Sequence, residues 1–256
     1  MRVFVALNTY PAPRQWERWC RAVDAAVALG VDALIMADPG LLHYARTTHP
    51  NQRLHLSVQG SATNHEAIAF YARAFGVSRV VLPRVLSAAQ VEAVIRRTNV
   101  EVEVFGFGSL CIMVEGRCGL SSYVTGDSPN MAGVCSPAKA VRWEEAGSVR
   151  RSRLSGVLID VYRKGEAAGY PMLCKGRFTV QGSTNSIGRD EHRAVASTGC
   201  AAAAEVDGPA FYALEEPTSL NILDILPTLV RAGVAAVKVE GRQRGPAYVA
   251  QVARVL

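Results

Sequence analysis

The chain has 256 residues, of which 49% are apolar and 20% charged, and a formal net charge of +6. That length and apolar share suffice for one large α/β core rather than a string of small ones, so a single domain over 1–256 is expected. No run of about eighteen apolar residues occurs, and MRVFVALNTYPAP has none of the segments of a secretory leader, so an integral membrane protein is excluded and a cytoplasmic location expected.

In chain order, strands are predicted at 3–7, 54–58 and 102–107, and helices at 14–29, 64–75, 88–97, 220–232 and 247–255. Three segments share one pattern, an amphipathic helix ending in Gly-Val and followed by a short apolar run: GVDALIMAD from Gly30, GVSRVVLPR from Gly76 and GVAAVKVEG from Gly233. The glycine supplies the left-handed helix stop, and the near-continuous apolar run suits a parallel strand buried on both faces. The fold expected is α/β, a TIM-barrel-like parallel sheet with outer helices. About six strand–helix units can be counted where a closed barrel needs eight, so the chain is N-terminally shortened, or the sheet stays open, or a partner covers its edge.

The alternation breaks after about residue 107 into a stretch rich in Gly, Ser and Cys, too long for an ordinary connection and therefore expected to be functional. A second irregular segment, 183–206, mixes polar residues with CAAAAEV and is expected to be a mobile insertion. Positive charge is concentrated in RWEEAGSVRRSR (142–153) and EGRQR (240–244). Both fit a solvated surface, so no nucleic acid partner is expected.

Six cysteines in a cytosolic chain of this size are not expected to form disulfides. In GSLCIMVEGRCGLSSYVTGDSPNMAGVCSPAKAVRW, Cys111, Cys118 and Cys135 are separated by seven and then seventeen positions, and Cys174 follows thirty-nine later in YPMLCKGRF. Four soft ligands carried on loops suit an iron–sulfur cluster or zinc, but the wide spacing does not match the short ligand pairs of zinc fingers and ribbons. Cys20, beside Trp16 and Trp19 on a helix, is expected to be a buried thiol, and Cys200 falls in the insertion.

With these motifs, and with LSSYVTGDSPN, CSPAKAVRW, YALEEPTSLN and VKVEGRQRGPAYV, the sequence resembles the collagenase-like peptidase family over nearly its whole length. The resemblance implies that the chain is N-terminally shortened, with the barrel's first two strand–helix units absent, and that Cys111, Cys118, Cys135 and Cys174 hold a 4Fe-4S cluster within a binding region over 105–178. It further implies an iron–sulfur subunit for oxygen-independent (anaerobic) hydroxylation in ubiquinone biosynthesis. Its partner would be a UbiV-like iron–sulfur protein in a heterodimer, its substrate a ubiquinone precursor, and its hydroxyl donor prephenate. Two alternatives stand beside this: hydroxylation of tRNA or rRNA by a family enzyme, and a non-catalytic scaffold containing the cluster. Peptidase activity is the weaker claim, since there is no HExxH, no GxSxG and no convincing Cys–His pair.

In a parallel barrel the reacting groups stand at the C-terminal ends of strands, which selects Asn8, Asp38, Gln59, Arg84, Lys175, Arg177 and Glu240 by position. Arg84, Lys175, Arg177 and Glu240 are the candidate substrate-binding residues, the cations suited to clamping the carboxylates of a donor. Tyr123 and Trp143 are expected to pack over the cluster, and the five histidines show no ligand spacing.

Overall fold

The computed structural model describes residues 1–111, 113, 115–163, 165–166, 168–178, 211–214, 220–241 and 245–255. The first half alternates strand and helix: β1 (Phe4–Leu7), α1 (Trp16–Ala28), β2 (Ala33–Met36), α2 (Pro39–Thr48), β3 (Leu54–Leu56), α3 (His65–Phe75), β4 (Val77–Val81), α4 (Ala88–Ile95) and β5 (Glu101–Gly108). There follow α5 (Gly119–Thr125), α6 (Pro129–Ala132), β6 (Val141–Ala146), β7 (Val149–Leu154) and β8 (Val157–Arg163). The remaining elements are β9 (Arg177–Phe178), β10 (Phe211–Tyr212), β11 (Leu220–Asn221), α7 (Leu226–Ala232), β12 (Ala236–Val239) and α8 (Pro246–Val255). The chain divides into two compact units, the first of Met1–Cys118, Ser128–Val134 and Thr218–Leu256, the second of Gly119–Asp127 and Cys135–Pro217. The span 105–178 therefore contributes to both. Residues 183–206 and Cys200 lie outside the described residues.

In the first unit β1, β2, β3, β4, β5 and β12 pair in parallel in that order, with β11 antiparallel at the end of β5. The result is a mixed α/β fold around a curled parallel half-barrel sheet. Each predicted Gly-Val junction is present: Gly30, Gly76 and Gly233 have φ of 71°, 68° and 96° and lead into β2, β4 and β12. Side chains mark the helix starts, where Asp38, Asn64 and Ser87 accept from the backbone amides of Leu41, Ala67 and Gln90.

One face of the sheet is apolar. Leu34, Met36, Leu54, Leu56, Val80 and Val102 pack there against Val23, Leu41, Ile68, Val91 and Leu229 from the helices. The alternate positions carry charge: Arg79 donates to Glu101 (2.8 Å) and Glu103 (3.3 Å), and Lys238 reaches Glu103 at 3.1 Å. His55, fully buried, meets the edge of Phe4 on that same side, with ring centroids 5.0 Å apart. Such alternation, apolar toward the helices and polar within the curve, is what a barrel strand requires.

Two elements depart from expectation. Residues 220–232 do not form one helix. Leu220 pairs with Gly108, the Asn221 side chain accepts from the amide of Leu223, and helix begins at Leu226 with Pro227 fixing its first turn. Helix α2 is not among the predicted helices; the Asp38 cap and the proline in its first turn start it.

The second unit is built on an antiparallel meander, β6–β7–β8, whose first two strands are rich in charge and whose third, VLIDVYR, is largely apolar. Its turns use Gly147 (φ 59°), Ser155 (φ 49°) and Gly156 (φ 85°), and its small core consists of Val141, Leu154 and Ile159. β9 pairs with β10 as a short antiparallel ribbon.

Candidate functional site

Because the strands of the first unit run parallel, the residues that follow them gather along one edge. Asn8 and Thr9 follow β1, Asp38 follows β2, Gln59 follows β3, Arg84 follows β4, the Cys111 loop follows β5 and Glu240 follows β12. Asn8 donates to the Ser57 hydroxyl at 3.2 Å, while Asp38 is spent on its helix cap. Arg84 is the centre of the edge. Its two terminal nitrogens bond Glu115 and Glu240, each at 2.5 Å, and its guanidinium lies 3.7 Å from the centroid of the Phe105 ring. Arg84 and Glu240 are thus brought together, as each other's partners.

Glu115, between Cys111 and Cys118, is absent from the positional candidates. Its signal was a lone carboxylate inside a thiol-bearing loop, and burial pushes that carboxyl up against the pull of Arg84. The Cys111 thiol is likewise pushed up, first by burial and then by Glu115, and its sulfur lies 3.7 Å from the Met113 carbonyl. Gly116, with φ 76°, brings the loop backbone against the Gln59 amide, so that a Cβ there would lie 2.9 Å from it.

Along the same edge, three buried polar atoms have no hydrogen-bond partner among the described residues: Thr9 Oγ1, Gln59 Oε1 and Arg84 Nε. Buried polar atoms are rarely left unmet, so this edge carries hydrogen-bonding capacity that the described residues do not use.

The second unit holds the other two thiols. Ser121 of α5 donates to the Cys135 carbonyl, and the Ser136 hydroxyl donates to the Pro171 carbonyl at 2.5 Å, tying the Cys135 loop to the chain leading to Cys174. Val124 of α5 and Leu173 both pack on the Val141–Leu154–Ile159 core. Lys175 is buried beside Cys174. Arg177 donates to Asp160 at 2.5 Å and to the Val161 carbonyl, with Tyr212 at 3.4 Å from the same carboxylate. Tyr123 stands in solvent at 87% exposure, and Trp143 stacks on Tyr162 at 6.2 Å and beneath Arg150.

No disulfide joins any of the five described cysteines. Cys111 and Cys118 belong to the first unit, Cys135 and Cys174 to the second. Among the described residues, no group of three or more His, Cys, Asp or Glu side chains is placed to hold a metal ion.

The sequence profile described as Peptidase family U32 matches residues 1–256. The chain belongs to this family. Among U32 relatives, tRNA hydroxylation protein P of Escherichia coli (strain K12) is 37% identical over 144 residues, covering 56% of this chain and 31% of that protein. tRNA hydroxylation protein P1 of Bacillus subtilis (strain 168) is 29% identical over 235 residues, covering 91% of this chain and 44% of that protein. The 23S rRNA 5-hydroxycytidine C2501 synthase of Escherichia coli (strain K12) is 34% identical over 137 residues, covering 54% and 20%. The chain spans less than half the length of these curated relatives. No helix among the described residues is long and apolar enough to cross a membrane.

Proposed function

We propose that this U32 chain is part of an oxygen-independent RNA hydroxylation enzyme, with its substrate edge formed by Thr9, Gln59, Arg84, Glu115 and Glu240 and a 4Fe-4S cluster held by Cys111, Cys118, Cys135 and Cys174. Similarity to proteins named for tRNA and rRNA hydroxylation supports the substrate class. The three unmet polar atoms on the edge that also carries the Cys111 loop are the observation that carries the site.

Replacing a ring C–H by C–OH without dioxygen is a two-electron oxidation: with water as oxygen source two electrons and two protons pass to an external acceptor, one electron at a time, whereas a hydroxyl donor is itself reduced by those two electrons. A cluster held by four thiolates supplies one-electron transfer when bound. The protein's own groups orient and shield. Arg84, already neutralised by two carboxylates, keeps the edge ordered while its Nε and the Gln59 carbonyl oxygen offer one donor and one acceptor to a polar ligand.

A second reading is a UbiU-like subunit that, with a UbiV-like partner, hydroxylates a ubiquinone precursor with prephenate as donor. It is supported by the cysteine-bearing motifs FGSLCIMVEGRC and GYPMLCKGRF. Deleting the gene and growing the host without oxygen separates the two. Mass analysis of tRNA and rRNA nucleosides should show loss of a hydroxylated base with quinone content unchanged; intact RNA with lost ubiquinone would overturn the RNA reading in favour of the second. For the cluster, anaerobic purification should yield iron and acid-labile sulfide, reduced in Cys111→Ala and Cys174→Ala and retained in Cys20→Ala. Zinc without sulfide would reject it.

A further inference from the structure

The charged stretch 142–153 is not a loosely solvated run. Within the second unit it forms two strands of a paired ladder, and the register sorts its charges by face. Arg142 lies opposite Arg153, Glu144 opposite Arg151, and Val149 opposite Arg163. Side chains alternate across a strand, so Arg142, Arg151, Arg153 and Arg163 share one face with a single carboxylate, Glu144. The contacts agree with that sorting: Arg153 bonds Glu144 at 2.8 Å on this face, while Arg150, Trp143 and Tyr162 stack together on the other. Arg142 and Arg163 are exposed.

A second feature adjoins the first. Arg142 also lines a cleft of about 320 Å³ with Lys139, Thr125 and Ser155, where Lys139 is paired with Asp127 at 2.7 Å and Arg142 donates to the carbonyls of Lys139 and Val141. Like charges set side by side on a ladder are destabilising without a counter-charge. A four-arginine face with one carboxylate thus has its electrostatic complement in a polyanion, and strand spacing of about 5 Å suits successive phosphates better than a single small anion.

We propose that the Arg142–Arg151–Arg153–Arg163 face of β6–β7–β8 docks the phosphate backbone of the substrate RNA. This rests on the RNA reading above and adds to it where the RNA is held. Contacts of this kind position a substrate without reading its bases.

The test is fluorescence anisotropy of the purified full chain with an unmodified tRNA transcript across a salt series. It compares wild type, Arg142→Ala/Arg151→Ala/Arg163→Ala, the same three as lysines, and Arg14→Ala/Arg18→Ala/Arg21→Ala on α1 and the turn before it as a charge-matched control. The alanine triple should bind about tenfold or more weakly, with the log–log salt slope shallower by about two to three, while the lysine triple and the control keep the wild-type slope. If the alanine triple fails to fold by circular dichroism, Arg163→Gln alone should still lower the slope by about one. Wild-type binding that the alanine triple retains, or that the control loses equally, overturns the docking face and leaves the RNA reading standing. Absence of any salt-sensitive RNA binding by wild type overturns the RNA reading and the docking face with it.

Discussion

Arg84 and Glu240 stand 156 residues apart in sequence and meet at 2.5 Å, because β4 and β12 run parallel and end at the same edge of one sheet. The pair gains a third member in Glu115, whose side chain is 12% exposed. Removing the cation leaves that carboxylate buried without its partner. Arg84→Met should therefore lose about 3–5 kcal/mol at pH 7.5. Burial already raises the Glu115 carboxyl, and without Arg84 it rises further, so the loss should shrink as pH falls toward the unfolded carboxylate value of about 4.3. Urea melts at both ends of that range check the trend, and Arg84→Met/Glu115→Gln should regain most of the stability. A single variant as stable as wild type at pH 7.5 would contradict the account.

His55 gives a pH dependence of opposite origin. Burial, and then Arg79 and Arg53, push its pKa down to about 4. Its two ring nitrogens have no hydrogen-bond partner among the described residues. The unfolded chain protonates this ring near pH 6.5 and the folded one only near 4, so its contribution is complete above 6.5 and is lost as pH falls through that window. The span corresponds to at most about 3 kcal/mol. His55→Phe, which keeps a ring against Phe4, should flatten the stability curve between pH 6.5 and 4.5 relative to wild type. Parallel curves for the two proteins would show that His55 does not titrate across folding.

The alternation of β1 through β5 and the three Gly-Val junctions could be read from the sequence because parallel strands buried on both faces are apolar runs, and left-handed helix stops select glycine. The meander could not. Its first two strands, VRWEEA and VRRSRL, carry mostly charge and gave no periodic apolar signal, β8 with its buried Leu158, Ile159 and Tyr162 has no other apolar strand beside it in sequence, and pairing of Glu145 with Arg150 across a Gly147 turn emerges only in three dimensions. At the site, position relative to strand ends selected Gln59, Arg84 and Glu240 and passed over Thr9, one residue beyond Asn8, whereas Glu115 required knowing which loop folds back on the edge.

Arg177, a candidate for substrate carboxylates, is bonded to Asp160, whose side chain is 1% exposed. The Asp160 carboxylate accepts from Arg177 through one oxygen and from Tyr212 through the other. Arg177→Ala should destabilise the second unit by about 3–5 kcal/mol, seen as faster limited proteolysis within 135–178, and Arg177→Lys should recover part of it. Unchanged proteolysis with weakened substrate binding would instead assign Arg177 to the substrate.

Gly116 and Gly119 flank Cys118 and ask for different things. At Gly116 φ is 76°, and an added Cβ would lie 2.9 Å from the Gln59 side chain and 3.1 Å from Asn130 Cβ. The left-handed backbone alone costs a non-glycine residue about 1–2 kcal/mol, and the close contacts add overpacking. At Gly119, the first residue of α5, nothing lies within 4 Å of an added Cβ and φ is not positive. Gly116→Ala should therefore lower the melting temperature and, if the Cys111–Cys118 loop holds iron as proposed, the iron content after anaerobic purification, while Gly119→Ala should leave both near wild type or raise stability slightly. Equal effects of the two substitutions on melting would mean that the loop conformation at Gly116 is not what holds Cys111 and Cys118 on the sheet edge.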